Sequence, residues 1–371
     1  MNEDRALRVL VIEDSRTLRG HFVESLEAKG FEVVGEASDG ESGIALCERL
    51  RPDVISLDIV LPGISGLEVT AEIMHRCPTP ILIVSASRNR GEVFRTLDAL
   101  SAGAVDVLDK PKGTDADDDW VERYRRALRL VAGVRVIRRS ARFIRPSQAP
   151  RPADRIEALP PAGPVEPGAG LRLIAIGAST GGPAVLAEML PRLPARLGLP
   201  LLLVIHLDRA FEEAFRDWLA TLAPFPVRLV SHGDLLPTDT VLLIAPAGRH
   251  LTLRGGRLLL DDRPERHSCR PSIDVLFESL AEECPRSTLA ILLTGMGVDG
   301  ARGLLSLRQA GARTVAQDEA SSAVFGMPRA AIELGAAERV LGQDALAPLI
   351  AAAAAGLERP HAAGGVQGAE H

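Results

Sequence analysis

Residues 7–14 read LRVLVIED, an unbroken apolar run that stops on two acids. As a strand it is buried on both faces, and the spacing Leu18, Phe22, Val23, Leu26 up to Gly30 predicts a helix laid against it. The alternation recurs through FEVVGEA (31–37), a helix around Ile44–Leu50, DVISLD (53–58), a helix from about Leu67, PILIVSA (80–86), a helix from about Glu92, and AVDVLD (104–109) before Lys110-Pro111. Parallel neighbours need crossover helices, so this half predicts an α/β fold with a five-stranded, doubly wound parallel sheet.

The chain has 371 residues, and at about 150 residues per domain it has room for a second core. Strand–helix alternation resumes at Leu171 with LRLIAIGAS, PLLLVIHL, PVRLVS, VLLIAPAG, LAILLTG and ARTVAQD, which predicts a second doubly wound, mostly parallel α/β domain. Within it HLTLRGGRLLLD (250–261) has two alternating runs about Gly255-Gly256, a β-hairpin with a primed turn. Between the halves lie Arg123, Arg125, Arg126 and Arg129, then RVIRRSARFIR, then a Pro/Ala/Gly-dense segment from Pro146 to Gly170. The arginines read as a solvated helix end or as a docking surface. The expected division is 1–125, a linker over 126–170, 171–356, and a disordered tail over 357–371.

Apolar residues are 46% and charged residues 25%, the ordinary globular mixture, and a net charge of -6 gives no footprint for nucleic acid. The four cysteines, Cys47, Cys77, Cys269 and Cys284, form no C-x-x-C pair and read as buried thiols in a reducing compartment. No apolar stretch reaches the roughly 18 to 20 residues of a membrane span, and the N-terminus has no export pattern, so no membrane insertion and a cytoplasmic location are expected.

In open parallel sheets ligands bind beyond the carboxyl ends of the strands. The first half places Glu13, Asp14, Asp58, Ser85 and Lys110 there. Glu13, Asp14 and Asp58 make an oxygen site suited to Mg²⁺, Asp58 is placed to attack phosphorus, and Ser85 and Lys110 to contact phosphoryl oxygens. One acid after a strand is an ordinary loop residue; five groups in this order are not. Residues 7–125 closely resemble response-regulator receiver domains, which implies a flavodoxin-like fold. Two departures stand out. Val107 sits where receivers usually carry an aromatic switch residue, and the loop after Asp58 reads IVLPGISG in place of a form with Met-Pro and Asp-Gly.

In the second half IGASTGGP puts Ser179 on a tight strand-to-helix turn, with Pro183 suited to the first helical position and backbone N–H groups available to a developing anion. Gly177–Gly181 satisfies G-x-S-x-G, yet glycine-rich turns also bind phosphates, and on this motif alone nucleotide binding stays open. His206 closes the next strand, and Asp299 lies in LLTGMGVDGARG, where another strand opens into a turn. Together they supply a nucleophile, a base and a carboxylate to orient the base. The order Ser, His, Asp disfavours the α/β-hydrolase fold.

IGASTGG, RPSIDVLF, LLTGMGVDGA and QDEASSAVFGMP together resemble the catalytic domain of chemotaxis protein-glutamate methylesterases, and the receiver in front completes that family's architecture. The resemblance implies Ser179 as nucleophile, His206 as base and acid, Asp299 as orienting carboxylate, and Met296 as an oxyanion residue, with Thr180 a further candidate. It implies a phosphorylation-regulated methylesterase and glutaminase acting on chemoreceptors, a chemosensory histidine kinase as phosphodonor, Mg²⁺ for the receiver only, and a receiver that covers the active site until phosphorylated. Ile205-His206-Leu207-Asp208 departs from the family's Gln-His-Met-Pro. Two rivals remain. A receiver with a nucleotide- or nucleic-acid-binding output would need a G-x-G-x-x-G or a basic recognition helix, which the second half lacks. A non-catalytic adaptor that binds receptors would show no turnover.

Overall fold

The computed structural model describes residues 5–27, 30–86, 90–111, 118–134, 136 and 170–356. The Pro-rich segment, most of RVIRRSARFIR and the tail over 357–371 lie outside the described residues.

The N-terminal sheet is built from β1 (Leu7–Ile12), β2 (Phe31–Ala37), β3 (Val54–Leu57), β4 (Ile81–Ser85) and β5 (Asp106–Asp109), in the order β2-β1-β3-β4-β5. All its pairings are parallel, as the unbroken apolar runs require. Helices α1 (Arg16–Glu27), α2 (Gly40–Leu50), α3 (Gly66–Arg76), α4 (Arg90–Ala102) and α5 (Asp118–Ala132) make the crossovers and close the domain. Helix α3 starts on a capping box: Glu68 N–H donates to the Ser65 hydroxyl, and the Glu68 carboxylate accepts from Ser65 N–H at 2.8 Å.

The domain does not end at 125. Helix α5 continues to Ala132 and buries Tyr124, Leu128 and Val131 against the sheet, so the arginine-rich segment begins as the receiver's last helix and not as linker. Trp120 and Tyr124 stack with centroids 5.0 Å apart, and Phe22 joins them at 5.4 and 5.3 Å. Such pairs add about 0.5–1.5 kcal/mol each beyond their buried area. Arg125 donates to the Ser25 carbonyl at 2.7 Å and Arg129 lies 4.6 Å over the Phe31 ring, so both serve the fold itself.

The C-terminal domain runs β6 (Leu173–Ala178), α6 (Gly182–Met189), β7 (Leu201–Ile205), α7 (Glu212–Leu222), β8 (Val227–Leu229), β9 (Asp234–Leu235), β10 (Leu242–Ile244), β11 (His250–Arg254) and β12 (Arg257–Asp261). It continues through α8 (Ile273–Glu283), β13 (Thr288–Leu292), α9 (Ala301–Gln309), β14 (Arg313–Gln317), α10 (Met327–Glu333), β15 (Arg339–Leu341) and α11 (Gln343–Ala355). Seven strands form a sheet ordered β15-β14-β13-β6-β7-β10-β8, with every pairing parallel. The hairpin β11–β12 turns on Gly255 and Gly256 at φ 56° and 70°, as a primed turn requires, and β9 extends it to a three-stranded antiparallel sheet.

From β6 the chain moves outward to β7, then returns to build β13 on the other side. Strand β6 is therefore the point where the winding reverses, the place where open α/β sheets form their crevice. The two domains meet beside it. Helix α4 packs on α6 and α7, with Trp218 Nε1 donating to Asp98 at 2.9 Å and the Thr180 hydroxyl donating to Asp106 at 2.7 Å.

Candidate active site

Ser179 leaves β6 and His206 leaves β7 at neighbouring points. Ala178 and Ile205 are paired, and His206 N–H donates to the Ala178 carbonyl at 3.2 Å. The turn after Ser179 needs glycine. Gly181 has φ +81°, and a Cβ there would meet the Ala323 side chain at 2.5 Å. Gly295, on the facing turn, would put a Cβ 2.6 Å from that of Ser179, so the two turns close on each other only because this one is bare. Val324 and Met327 brace the facing turn: Gly295 N–H donates to Val324 O, and Gly295 O accepts from Met327 N–H.

The imidazole of His206 meets the Asp299 carboxylate through Nε2 at 2.9 Å. Asp299 is buried and also accepts from the Ser272 hydroxyl at 2.7 Å, Ile273 N–H at 2.8 Å and Asp274 N–H at 3.1 Å. Those amides are among the first of α8, so the carboxylate stands where a helix's unsatisfied donors and positive dipole end favour an anion. Burial opposes its charge, yet His206 and these donors hold it below the ordinary aspartate range. Burial likewise penalises a charged His206, but the Asp299 hydrogen bond, helped by Cys269, keeps the proton and raises the group to about 9.

No hydrogen bond joins the Ser179 hydroxyl to His206. The nitrogen left over, Nδ1, instead lies 3.6 Å from Cys269 Sγ. Thr180 follows Ser179 on the turn, and its hydroxyl donates to Asp106 of the receiver. Met296 is half-buried on the turn of Gly295, next to Ser179.

At the receiver's strand ends the expected groups converge. Ligand atoms of Glu13, Asp14 and Asp58 lie within 4.8 Å of one another, and Lys110 Nζ is 2.8 Å from both Glu13 and Asp58. Burial raises Glu13 to about 7, with the Asp58 charge adding, and burial raises Asp58 as well. The buried Ser85 hydroxyl has no hydrogen-bond partner among the described residues. Carboxylates held above their usual range by burial, beside an unmet hydroxyl and a lysine, fit Mg²⁺ and a phosphoryl group.

A family described as CheB methylesterase matches residues 174–350, and the response regulator receiver domain matches 9–117. A protein-glutamate methylesterase/protein-glutamine glutaminase of Anaeromyxobacter dehalogenans is 43% identical over 92% of this chain and 95% of its own length. The chain belongs to the CheB methylesterase family. A second member so named, from Cupriavidus pinatubonensis, is 41% identical over 89% of this chain and 92% of its own length. The crystal structure of the Thermotoga maritima CheB methylesterase catalytic domain is 30% identical, covering 50% of this chain and 99% of that one, with a TM-score of 0.47.

Within this family member two site residues escape a reading of the sequence. Ser272 sits at the N-cap of α8, where a serine is expected to cap, yet its hydroxyl turns away to Asp299. Cys269 arrives through a loop far from His206 in the chain, and only the fold puts them together.

Proposed function

We propose that the chain is a protein-glutamate methylesterase with protein-glutamine glutaminase activity, acting on methyl-accepting chemoreceptors in the cytoplasm under control of its receiver. The observation that carries this reading is a buried carboxylate holding an imidazole at the end of the strand beside Ser179.

In this reading Ser179 attacks the γ-carbonyl of a methylated glutamate, and His206 takes the hydroxyl proton on the nitrogen that Asp299 leaves free. The tetrahedral oxyanion is met by backbone N–H groups at Thr180 and Met296. Methanol leaves with the proton from His206, and water hydrolyses the acyl-enzyme by the reverse path. A glutamine side chain would follow the same route and release ammonia. The Ser179–His206 hydrogen bond forms as the site engages substrate, as catalytic contacts that are loose in free enzymes do.

The phosphodonor is a chemosensory histidine kinase, and Asp58 is the phosphoacceptor. Mg²⁺ bound by Glu13, Asp14 and Asp58 supplies charge neutralisation for the phosphoryl group, and Ser85 and Lys110 contact its oxygens. Unphosphorylated, the receiver covers the crevice through α4 and the Asp106–Thr180 bond, which supports inhibition by contact. The functional units are then a receiver that ends with α5 and an esterase over 171–356.

The test is methanol release from methylated receptor membranes, with and without a small phosphodonor. Ser179→Ala abolishes release and Asp58→Asn abolishes its stimulation. Turnover surviving the first, or stimulation surviving the second, overturns the corresponding assignment.

A further inference from the structure

Asp299 holds His206 through Nε2, which leaves Nδ1 facing the thiol of Cys269 at 3.6 Å. This spacing has a chemical meaning. With Zn–S near 2.3 Å and Zn–N near 2.0–2.1 Å, the S-to-N edge of a tetrahedral site is about 3.5 Å. An imidazole whose other nitrogen is held by a buried carboxylate is also the form in which histidine binds metal most firmly. Ligand atoms of His206, Cys269 and Asp299 all lie within 4.8 Å of one another.

The loop that delivers the thiol is strained. Arg266 and Cys269 exchange both backbone hydrogen bonds across His267 and Ser268, whose φ values of 54° and 58° are left-handed. Non-glycine residues in that region are strained and persist only where their surroundings impose them. Here Arg266 grips Glu278 with both terminal nitrogens, and His267 Nε2 lies 3.1 Å from the buried Asp274. Cys269 is half-buried and the His206 side chain is 17% exposed, so the pair is open to an ion from solvent. Cys47, Cys77 and Cys284 are buried, and no hydrogen bond joins any of them to an imidazole among the described residues.

We propose that His206 Nδ1 and Cys269 Sγ form a binding site for a thiophilic divalent ion such as Zn²⁺ within the crevice, and that the bound ion silences the esterase. Binding replaces the thiol proton and the second proton of the imidazole at Nδ1, and both leave to solvent, so the ion binds more tightly as pH rises. Asp299 stays on Nε2 as the outer partner, and the other coordination positions are filled by water or substrate oxygen. The silencing half rests on the triad reading above, because the ion takes the nitrogen that would accept the Ser179 proton; the binding half does not.

The probe is Co²⁺ added to the chelator-stripped full-length protein, read by thiolate-to-metal charge transfer in the near ultraviolet and reversed by Zn²⁺. The band is expected in the wild type and in Ser179→Ala, and absent in Cys269→Ser. Zn²⁺ suppresses methanol release by the wild type, a chelator restores it, and Cys269→Ser is about tenfold or more less sensitive to Zn²⁺ relative to its own metal-free rate. No band in the wild type, a band that survives Cys269→Ser, or equal zinc sensitivity overturns the proposal. A band that depends on Cys269 in a protein without turnover upholds the site and removes the esterase reading. If Cys269→Ser does not fold, alkylation of wild-type Cys269 read by mass spectrometry decides: protection by Zn²⁺ upholds the site, and equal alkylation overturns it.

Discussion

Four donors converge on the Asp299 carboxylate, and three come from one turn of chain, Ser272 to Asp274. Removing one hydrogen bond to a charged group costs about 1.5–3 kcal/mol. Ser272→Ala is therefore expected to lower kcat about 10- to 100-fold with little change in KM, measured as methanol release, because it loosens the base without touching substrate. A matching rise in KM would refute this. In the proposed mechanism His206 sets the pH dependence. It acts as a base only when neutral, and its proton is held to about 9, so kcat/KM in the presence of a chelator rises with pH and levels off only above that value. The same proton stabilises the fold fully below the ordinary histidine pKa, and this contribution is lost as pH climbs through 9. A profile already flat at neutral pH would contradict the Asp299 contact as the cause.

At the scale of elements, the receiver's β5 and the turn before α6 are joined, among the described residues, by a hydrogen bond between half-buried partners. Burial holds Asp106 above the usual aspartate range, and the Thr180 hydroxyl relieves part of that cost. Asp106→Ala leaves Thr180 free, and basal methanol release without phosphodonor is expected to rise several-fold or more; an unchanged basal rate would show that the bond does not hold the crevice shut. Gly181→Ala meets both a left-handed φ and the Ala323 side chain, so about 1–3 kcal/mol of strain plus a comparable clash should lower the C-terminal domain's melting midpoint. The elements themselves were mostly legible. Runs such as LRVLVIE and LRLIAIG are strands because parallel strands are buried on both faces and must be apolar throughout. Strand β15 was not legible, since three residues at a sheet edge carry no periodic signal. The reach of α5 was hidden too, because arginines surround Leu128 and Val131. Ser179, His206 and Asp299 were readable as strand-end groups, whereas Ser272 and Cys269 enter from loops that no strand pattern places.

Across the whole molecule β5 ties the receiver's acid pocket to its contact with the esterase: Asp106 on β5 meets Thr180, and Lys110 directly after β5 meets Glu13 and Asp58. Chelating Mg²⁺ should abolish both phosphorylation by a small phosphodonor and the stimulation that follows, leaving basal turnover unchanged. The proposed covering of the crevice by the receiver, in competition with receptor, couples the two domains in the reverse sense as well. On that proposal, whatever fills the crevice releases the receiver by the same free energy with which phosphorylation exposes the crevice. Binding of a beryllofluoride phosphoryl mimic should tighten in the presence of receptor membranes by the factor through which the mimic tightens receptor binding. A substrate would then be more than a target: by sitting in the crevice it lengthens the memory of the signal that sent the enzyme to it.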